Sequence, residues 1–225
     1  MKLTNQDVIA AMDPDFAQMA IKVGQHAWGL PQLTMREKAF VFVAADLCVP
    51  SLGFPLQTHV QMARTQGVSM AALREAVRHL APYVGYPTAA EAMMALTQIE
   101  AAQPSTTDAP APPGDAPAPA ALPQSVVAPI RELDEDFGEF FADQFAERWG
   151  RSELNIRERA LATIATDVLQ GTLDESLRLH VDLALSHGAG EEQVRAVVLQ
   201  VAEFGITKAL AAYRALNEVF AAHGG

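Results

Sequence analysis

Cysteine is nearly absent from this chain: its 225 residues hold one, Cys48. No disulfide can close within the chain, and a lone thiol fits a reducing compartment. Basic residues are also scarce, with 16 Lys and Arg against 27 Asp and Glu and a formal net charge of -11. A clustered basic surface for nucleic acid is therefore not expected, and the overall field would not steer an anionic substrate inward. No segment approaches the ~18 consecutive apolar residues of a membrane span. The N-terminus lacks a basic region followed by a long apolar run. The expectation is a cytoplasmic protein with neither a nucleic-acid nor a membrane partner. Runs of alternating β-branched residues are missing too, which leaves no convincing strand. Half of the residues are apolar, and many stretches are rich in Ala, Met and Leu. The expected class is all-α.

What the chain does have, it has twice. His59-x3-Ala63-x3-Gly67 returns 121 residues later as His180-x3-Ala184-x3-Gly188. Residues 13–100 lie over 134–221 in one register, read without a gap. Asp13 meets Asp134, Phe16 meets Phe137, and Trp28-Gly29 meets Trp149-Gly150. Further on, Arg36-Glu37 meets Arg157-Glu158, Asp46 meets Asp167, Arg74 meets Arg195 and Val77 meets Val198. This is an internal duplication of a helical unit of about 90 residues.

Local signals set the helices of each unit. Asp13 caps a helix that begins at Pro14 and ends near Trp28-Gly29. Thr34-x-x-Glu37 is a capping box opening a second helix, which runs to about Cys48 and stops at Pro50. Pro55 starts the helix of His59, and Gly67 is placed for a left-handed C-terminal cap. Ser69 caps a fourth helix with Leu73, Ala76, Val77, Leu80 and Val84 on one stripe. Tyr83-Val84-Gly85-Tyr86-Pro87 then breaks the chain before a last helix to about Ala101. In the second unit Asn155-x-x-Glu158 is again box-like, Gly171 closes the second helix, and Thr172-x-x-Glu175 is expected to open the His180 helix. Gly205-Ile206-Thr207-Lys208 replaces the Gly-Tyr-Pro break, so the final helix there should continue with little interruption. Residues 103–124 hold seven of the fourteen prolines and read as a polyproline II linker. At ~3.1 Å per residue it spans up to roughly 68 Å, enough for the units to pair side by side. The expected division is 1–102, linker 103–124 and 125–225.

Trp-Gly, Leu-x-x-Arg-Glu, His-x3-Ala-x3-Gly and Tyr-Val-Gly-Tyr-Pro-x-Ala-Ala together resemble the carboxymuconolactone decarboxylase family, within the alkylhydroperoxidase D-like superfamily of small all-helical oligomers. The resemblance covers nearly all of both units. The peroxidase branch of that superfamily carries Cys-x-x-Cys-x3-His; here the two cysteine positions are Leu52 and Pro55, and Leu173 and Ser176. A dithiol cycle needs two sulfurs. The decarboxylase branch implies cofactor-free loss of CO2 from a carboxylated lactone of aromatic catabolism, in an assembly expected as a trimer of tandem chains.

That chemistry asks for a carboxylate anchor, a donor facing the enolate oxygen, and a proton source for carbon. Arg36 and Arg157 suit the first, and His59 and His180 the last; Trp28, Tyr83 and Tyr86 could wall the substrate. Each has a plainer reading beside it. The histidines could be satisfied core residues, and Glu37, a further catalytic candidate, is like Glu158 already employed as a capping residue. The arginines could be solvated or paired, the tryptophans core plugs, and the tyrosines part of a helix break. Cys48 reads as a small buried hydrophobe, and His26 and His187 as surface residues. Three functions stand: a decarboxylase or related lyase or isomerase acting on a small carboxylated lactone or enolisable acid, without cofactor or metal; a redox protein using Cys48; and a non-catalytic assembly protein that kept the fold. Loss of the Gly-Tyr-Pro break in the second unit favours His59, with Arg36 nearby, as the working histidine.

Overall fold

The computed structural model describes residues 2–49, 52–103 and 124–223, and among these it contains twelve α-helices and no strand. The interior of the linker and its expected polyproline II conformation lie outside the described residues. The first unit runs α1 (Gln6–Met12), α2 (Pro14–Gly29), α3 (Met35–Cys48), α4 (Phe54–Thr65), α5 (Met70–Val84) and α6 (Tyr86–Ala102). The second repeats it as α7 (Gln124–Leu133), α8 (Glu135–Trp149), α9 (Ile156–Gln170), α10 (Glu175–Ser186), α11 (Glu191–Val201) and α12 (Ile206–His223). The short helices α1 and α7 open the two units in matching positions, so the duplication reaches further towards the N-terminus than the sequence motifs suggest.

The helix starts follow their caps. Asp13 and Asp134 accept from the backbone N–H of Phe16 and Phe137, each at 2.7 Å. Thr34 with Glu37, and Asn155 with Glu158, close both arms of a capping box, which satisfies two otherwise orphaned N–H groups at each start. Gly67 and Gly188 adopt φ of 83° and 84°. There the carbonyls of Ala63 and Ala184 accept from the N–H groups of Val68 and Ala189 at 3.1 and 2.9 Å, a left-handed cap that fixes the end of each histidine helix.

Two expectations are corrected. Thr172 does not cap α10; its hydroxyl donates to Asp167 Oδ1 at 2.7 Å, and Asp174 stands at the cap without a side-chain bond. The second unit also keeps its break. A 3-10 turn, Ala202–Phe204, leads to Gly205, and α12 starts afresh at Ile206. Gly205 follows Gly85 by 120 residues, so the register slips by one at this corner rather than running gap-free. Lys208 does not sit uncompensated: its ammonium donates to the carbonyl of Leu169 at the end of α9.

The core lies between α3 and α9. From Glu37 to Leu47 every residue of α3 is buried, and from Glu158 to Leu169 every residue of α9 is buried. A helix buried along its whole length must be covered on all sides; α3 and α9 pack on each other, α4, α5 and α11 cover α3, and α10, α11 and α5 cover α9. Burying each Phe, Leu, Ile or Val here contributes roughly 1.5–3 kcal/mol. The seam between the units is tied by a crossed pair of ion pairs. Arg36 Nε donates to Glu158 Oε1 at 2.5 Å, and Arg157 Nε to Glu37 Oε1 at 2.8 Å. Each glutamate is thus both the cap of its own helix and the anion of the other unit's arginine.

Removing Arg157 would leave the Glu37 side chain, only 2% exposed, without its partner cation. Arg157→Ala should cost roughly 2–4 kcal/mol in urea unfolding. Arg74→Ala, whose partner Glu100 is 40% exposed, should stay within about 1 kcal/mol. Equal losses in the two variants would show that the seam is no stronger than a surface pair.

Candidate active site at the seam of the two units

His59 sits on α4 behind a closed cap, with its ring held from three directions. Its Nδ1 donates to Asp46 Oδ2 of α3 at 2.7 Å, since an ionised carboxylate can only accept. Its face stacks on Phe42 at 4.3 Å between centroids, and Phe42 stacks in turn on Trp28 at 4.6 Å. Phe204, from the second unit's 3-10 turn, tilts against it at 6.0 Å. With Nδ1 committed, Nε2 is left as the free position, and the carboxyl of Glu203 lies 4.0 Å from it. That distance is too long for a direct hydrogen bond.

Both groups border a cavity of about 540 Å3. Its remaining wall is mostly apolar, formed by Ile9 and Met12 of α1, Phe16 and Met19 of α2, and Met62 of α4. The N-terminal wall is pinned by Asn5, whose side-chain amide donates to Gln61 Oε1 at 2.8 Å and to Thr58 Oγ1 at 3.1 Å. A cavity of this size lies in the range that holds small organic ligands.

Burial decides the electrostatics. It raises the Asp46 pKa, partly offset by the charge and hydrogen bond of His59, and Asp46 Oδ1 has no hydrogen-bond partner among the described residues. For His59, burial pulls the pKa down, but Asp46 through charge and hydrogen bond, and Glu203 through charge, outweigh it; the imidazole is held above its ordinary value. Glu203 is pushed up to about 7, by burial first and by the nearby Asp46 charge, with His59 working the other way. An imidazole with one nitrogen anchored and a carboxyl that titrates near neutrality thus face one apolar space, a pairing suited to moving protons at carbon.

The second unit repeats the pair and closes it. His180 Nδ1 donates to Asp167 Oδ2 at 2.7 Å. Asp167 Oδ1 is satisfied by the hydroxyls of Thr172 and Ser176, each at 2.7 Å, where the first unit has Pro55 at the position of Ser176. Trp149 lies parallel to the His180 ring at 5.9 Å, and Tyr83 from the first unit meets it edge-on at 5.4 Å. Trp149 Nε1 donates to Tyr83 Oη at 2.9 Å, and His180 is only 2% exposed. Thr163, at the position of Phe42, accepts or donates at 2.9 Å with His79 Nε2. The first unit has Pro82-Tyr83 where the second has Glu203-Phe204, so no carboxyl faces His180 from that corner.

The structure brings His59 and Trp28 to the cavity and leaves the other expected site residues elsewhere. Arg36, Glu37 and Arg157 are engaged in the seam and do not line the cavity; the expectation of Arg36 near His59 is not met, because its guanidinium reaches across to Glu158 and to the Glu153 carbonyl at 2.7 Å. Tyr83 serves the His180 side. Tyr86 is exposed, donating to Gln144 Oε1 at 2.5 Å and accepting from Arg148 at 2.6 Å. Asp46, Phe42, Glu203 and Phe204 were not among the candidates. Asp46 had a signal, since it precedes its histidine by thirteen residues in both units. Glu203 had none. Cys48 is partly buried, and its thiol is pushed up to about 11, chiefly by burial. Among the described residues no group of three or more His, Cys, Asp and Glu is arranged to hold a metal ion, and no helix is long and apolar enough to cross a membrane.

Comparison with known proteins bears on both units. The model of the carboxymuconolactone decarboxylase family matches residues 14–98 and again 135–218. A crystal structure from Burkholderia xenovorans LB400, provisionally described as a gamma-carboxymuconolactone decarboxylase subunit, is similar to the chain at 21% identity and a TM-score of 0.56. The alignment covers 100% of this chain and 93% of that one, and at such identity it speaks for the fold alone. No curated protein sequence matches the chain.

Glu203 gives the site a pH signature in stability. Its carboxyl has an ordinary value near 4.5 and a folded value of about 7, so the folded state holds the proton more tightly between them. The stability from that proton is full below about pH 4.5 and is lost as pH rises through about 7. In urea unfolding, wild type should lose up to about 3 kcal/mol more than Glu203→Gln between about pH 4.5 and about pH 8, at ~1.4 kcal/mol per unit of pKa shift. An identical pH dependence in the two proteins would mean that Glu203 titrates as an ordinary surface carboxylate.

Proposed function

We propose, from the premise that this chain belongs to the carboxymuconolactone decarboxylase family, that it is a cofactor-independent lyase, decarboxylase or isomerase whose acid–base group is His59. The observation that carries this reading is the anchored imidazole on the wall of a cavity, with Nδ1 held by Asp46 at 2.7 Å and Nε2 left towards Glu203 at 4.0 Å. Asp46 fixes the tautomer and supports positive charge on the ring after it takes a proton. A carbonyl substrate placed beside the two groups would accept a hydrogen bond from protonated Glu203. Nε2 of neutral His59 would then remove the proton α to that carbonyl, and the resulting enol would be held by the same carboxyl. Return of the proton to carbon completes an isomerisation. In a decarboxylation His59 would start protonated: the C–C electron pair of the departing CO2 passes into the enolate, and Nε2 gives its proton to the carbon, leaving His59 neutral. Glu203 acts here as the donor facing the developing oxyanion.

The anchor for a substrate carboxylate, looked for at Arg36 and Arg157, is not supplied by them within this chain. The redox alternative is weakened by the lone Cys48, whose raised pKa keeps it a thiol at neutral pH. Alkylation with iodoacetamide, or Cys48→Ala, should leave turnover within a few-fold. The assembly expected of the family, a trimer of tandem chains, is proposed on the same footing; light scattering that returns a stable monomer near 24.1 kDa would remove it.

Proton transfer can be followed without knowing the natural substrate, by NMR of α-hydrogen exchange in deuterated water with a panel of lactones and ketones. CO2 release from γ-carboxymuconolactone is measured beside it. His59→Ala should lose about 10²–10⁴-fold in rate, while His180→Ala, checked for folding by circular dichroism, should stay within a few-fold. Loss of equal size in both variants, or no exchange and no CO2 release by wild type, would sink the reading.

A further inference from the structure

The charge inventory of the His59 cavity is unlike what a polycarboxylate would require. Among the described residues no Lys or Arg lines it. The arginines at the seam are paired with Glu158 and Glu37. The Lys38 ammonium, behind the tryptophan, donates to the Trp28 carbonyl at 2.8 Å, and that of Lys208 is held on the Leu169 carbonyl. The charge that His59 can carry is already answered by Asp46. The other ionisable group at the wall, Glu203, is a carboxyl that supplies no positive charge: protonated it offers a single hydrogen bond, and once ionised it repels an anion. An incoming carboxylate would give up its hydration and find no cation, an unfavourable exchange in an apolar space. The rest of the wall favours the opposite kind of guest. Ile9, Met12, Phe16, Met19 and Met62 offer a broad apolar surface, and methionine thioethers adapt to guests of irregular shape.

We propose, resting on the acid–base reading above, that this cavity takes a neutral and predominantly apolar carbonyl compound, its carbonyl at His59 and Glu203 and an alkyl or aryl body along α1 and α2, and that it discriminates against di- and tricarboxylates. The volume of about 540 Å3 accommodates such a body beyond a single small ring. The reaction class follows from the guest. A substrate without a carboxylate cannot lose CO2, so the chemistry is proton transfer at the α-carbon: enolisation, double-bond migration, or elimination of a β-substituent that departs with its electron pair and takes up a proton.

The test is calorimetric titration of the full chain with neutral γ-lactones from γ-butyrolactone to γ-dodecalactone, and with γ-carboxymuconolactone. Affinity should rise about fourfold per added methylene until the body fills the cavity. The carboxylated lactone should bind at least about tenfold weaker than the best neutral lactone. A series without chain-length dependence, or tighter binding of the carboxylated lactone, overturns the proposal. So does binding that disappears as protein concentration rises and the chain self-associates, since the apolar face would then be covered by a second copy. Met19 is 62% exposed, so Met19→Lys is expected to fold, as circular dichroism checks. It should weaken the long-chain lactones about tenfold and strengthen the carboxylated one; unchanged affinities would count against the proposal. The series is repeated in His59→Ala, where the same chain-length dependence is expected because the apolar wall is untouched. Failure of the acid–base reading shows as unaltered turnover in that variant. Failure of the present inference shows in the binding series itself.

Discussion

Two helices with no side to offer to water can be stable only against something else, and α3 and α9 meet that need with each other. Each unit covers only part of its α3 or α9 with its own helices, and the other unit covers the rest. The crossed pairs Arg36–Glu158 and Arg157–Glu37 sit at the starts of these helices. They add direction to an association that apolar burial drives without much orientation of its own. Once α3 and α9 are fixed, everything borne on them is fixed too: Asp46 and Phe42 on one, Asp167 and Thr163 on the other. The histidine helices α4 and α10 then deliver one imidazole to each aspartate at the same 2.7 Å.

From that shared starting point the two histidines diverge through their surroundings. Around His180 both oxygens of the partner aspartate are bonded and aromatic rings cover the imidazole, and the result is a buried piece of core. Around His59 the equivalent aspartate has one oxygen without a described partner, Phe42 replaces a hydroxyl-bearing residue, and the corner of the other unit brings a carboxyl instead of a proline. Desolvation without full satisfaction is costly to a fold. A charge-bearing site kept partly unsatisfied beside an apolar cavity is the arrangement expected where chemistry, not stability, sets the residue choice.

Much of the fold was legible in the sequence because it is written in local signals. Asp13, Thr34, Ser69, Asn155 and Gly67 each act within a few residues of themselves, and the structure uses all five in the expected way. The repeat told where the histidines would lie and hinted at their aspartates. Less was legible at the site, since its parts come from far apart in the chain: Glu203 and Phe204 reach His59 across the seam, and nothing in their own neighbourhood marks them. The arginines misled for the complementary reason. Their residue type suits carboxylates, and the carboxylates they found were the capping glutamates of the other unit. At the second corner a one-residue slip kept the break that the missing Gly-Tyr-Pro motif had suggested was lost; Gly205 does the work of Gly85 from a shifted position.

The corner that carries Glu203 and Phe204 belongs to one unit and serves the other. In an assembly of two identical chains, every inherited change at that corner would appear at both histidines at once. Joining the halves in a single gene lifts that bond. A carboxyl can stand beside His59 while the facing corner keeps Tyr83 over His180, so the two histidines are free to differ in their surroundings. By the same logic, two copies of either half expressed alone would not amount to this protein: paired first halves would place Pro82 and Tyr83 over His59, and paired second halves would place Glu203 over His180. The two unlike surroundings exist only in the covalent union of unlike halves.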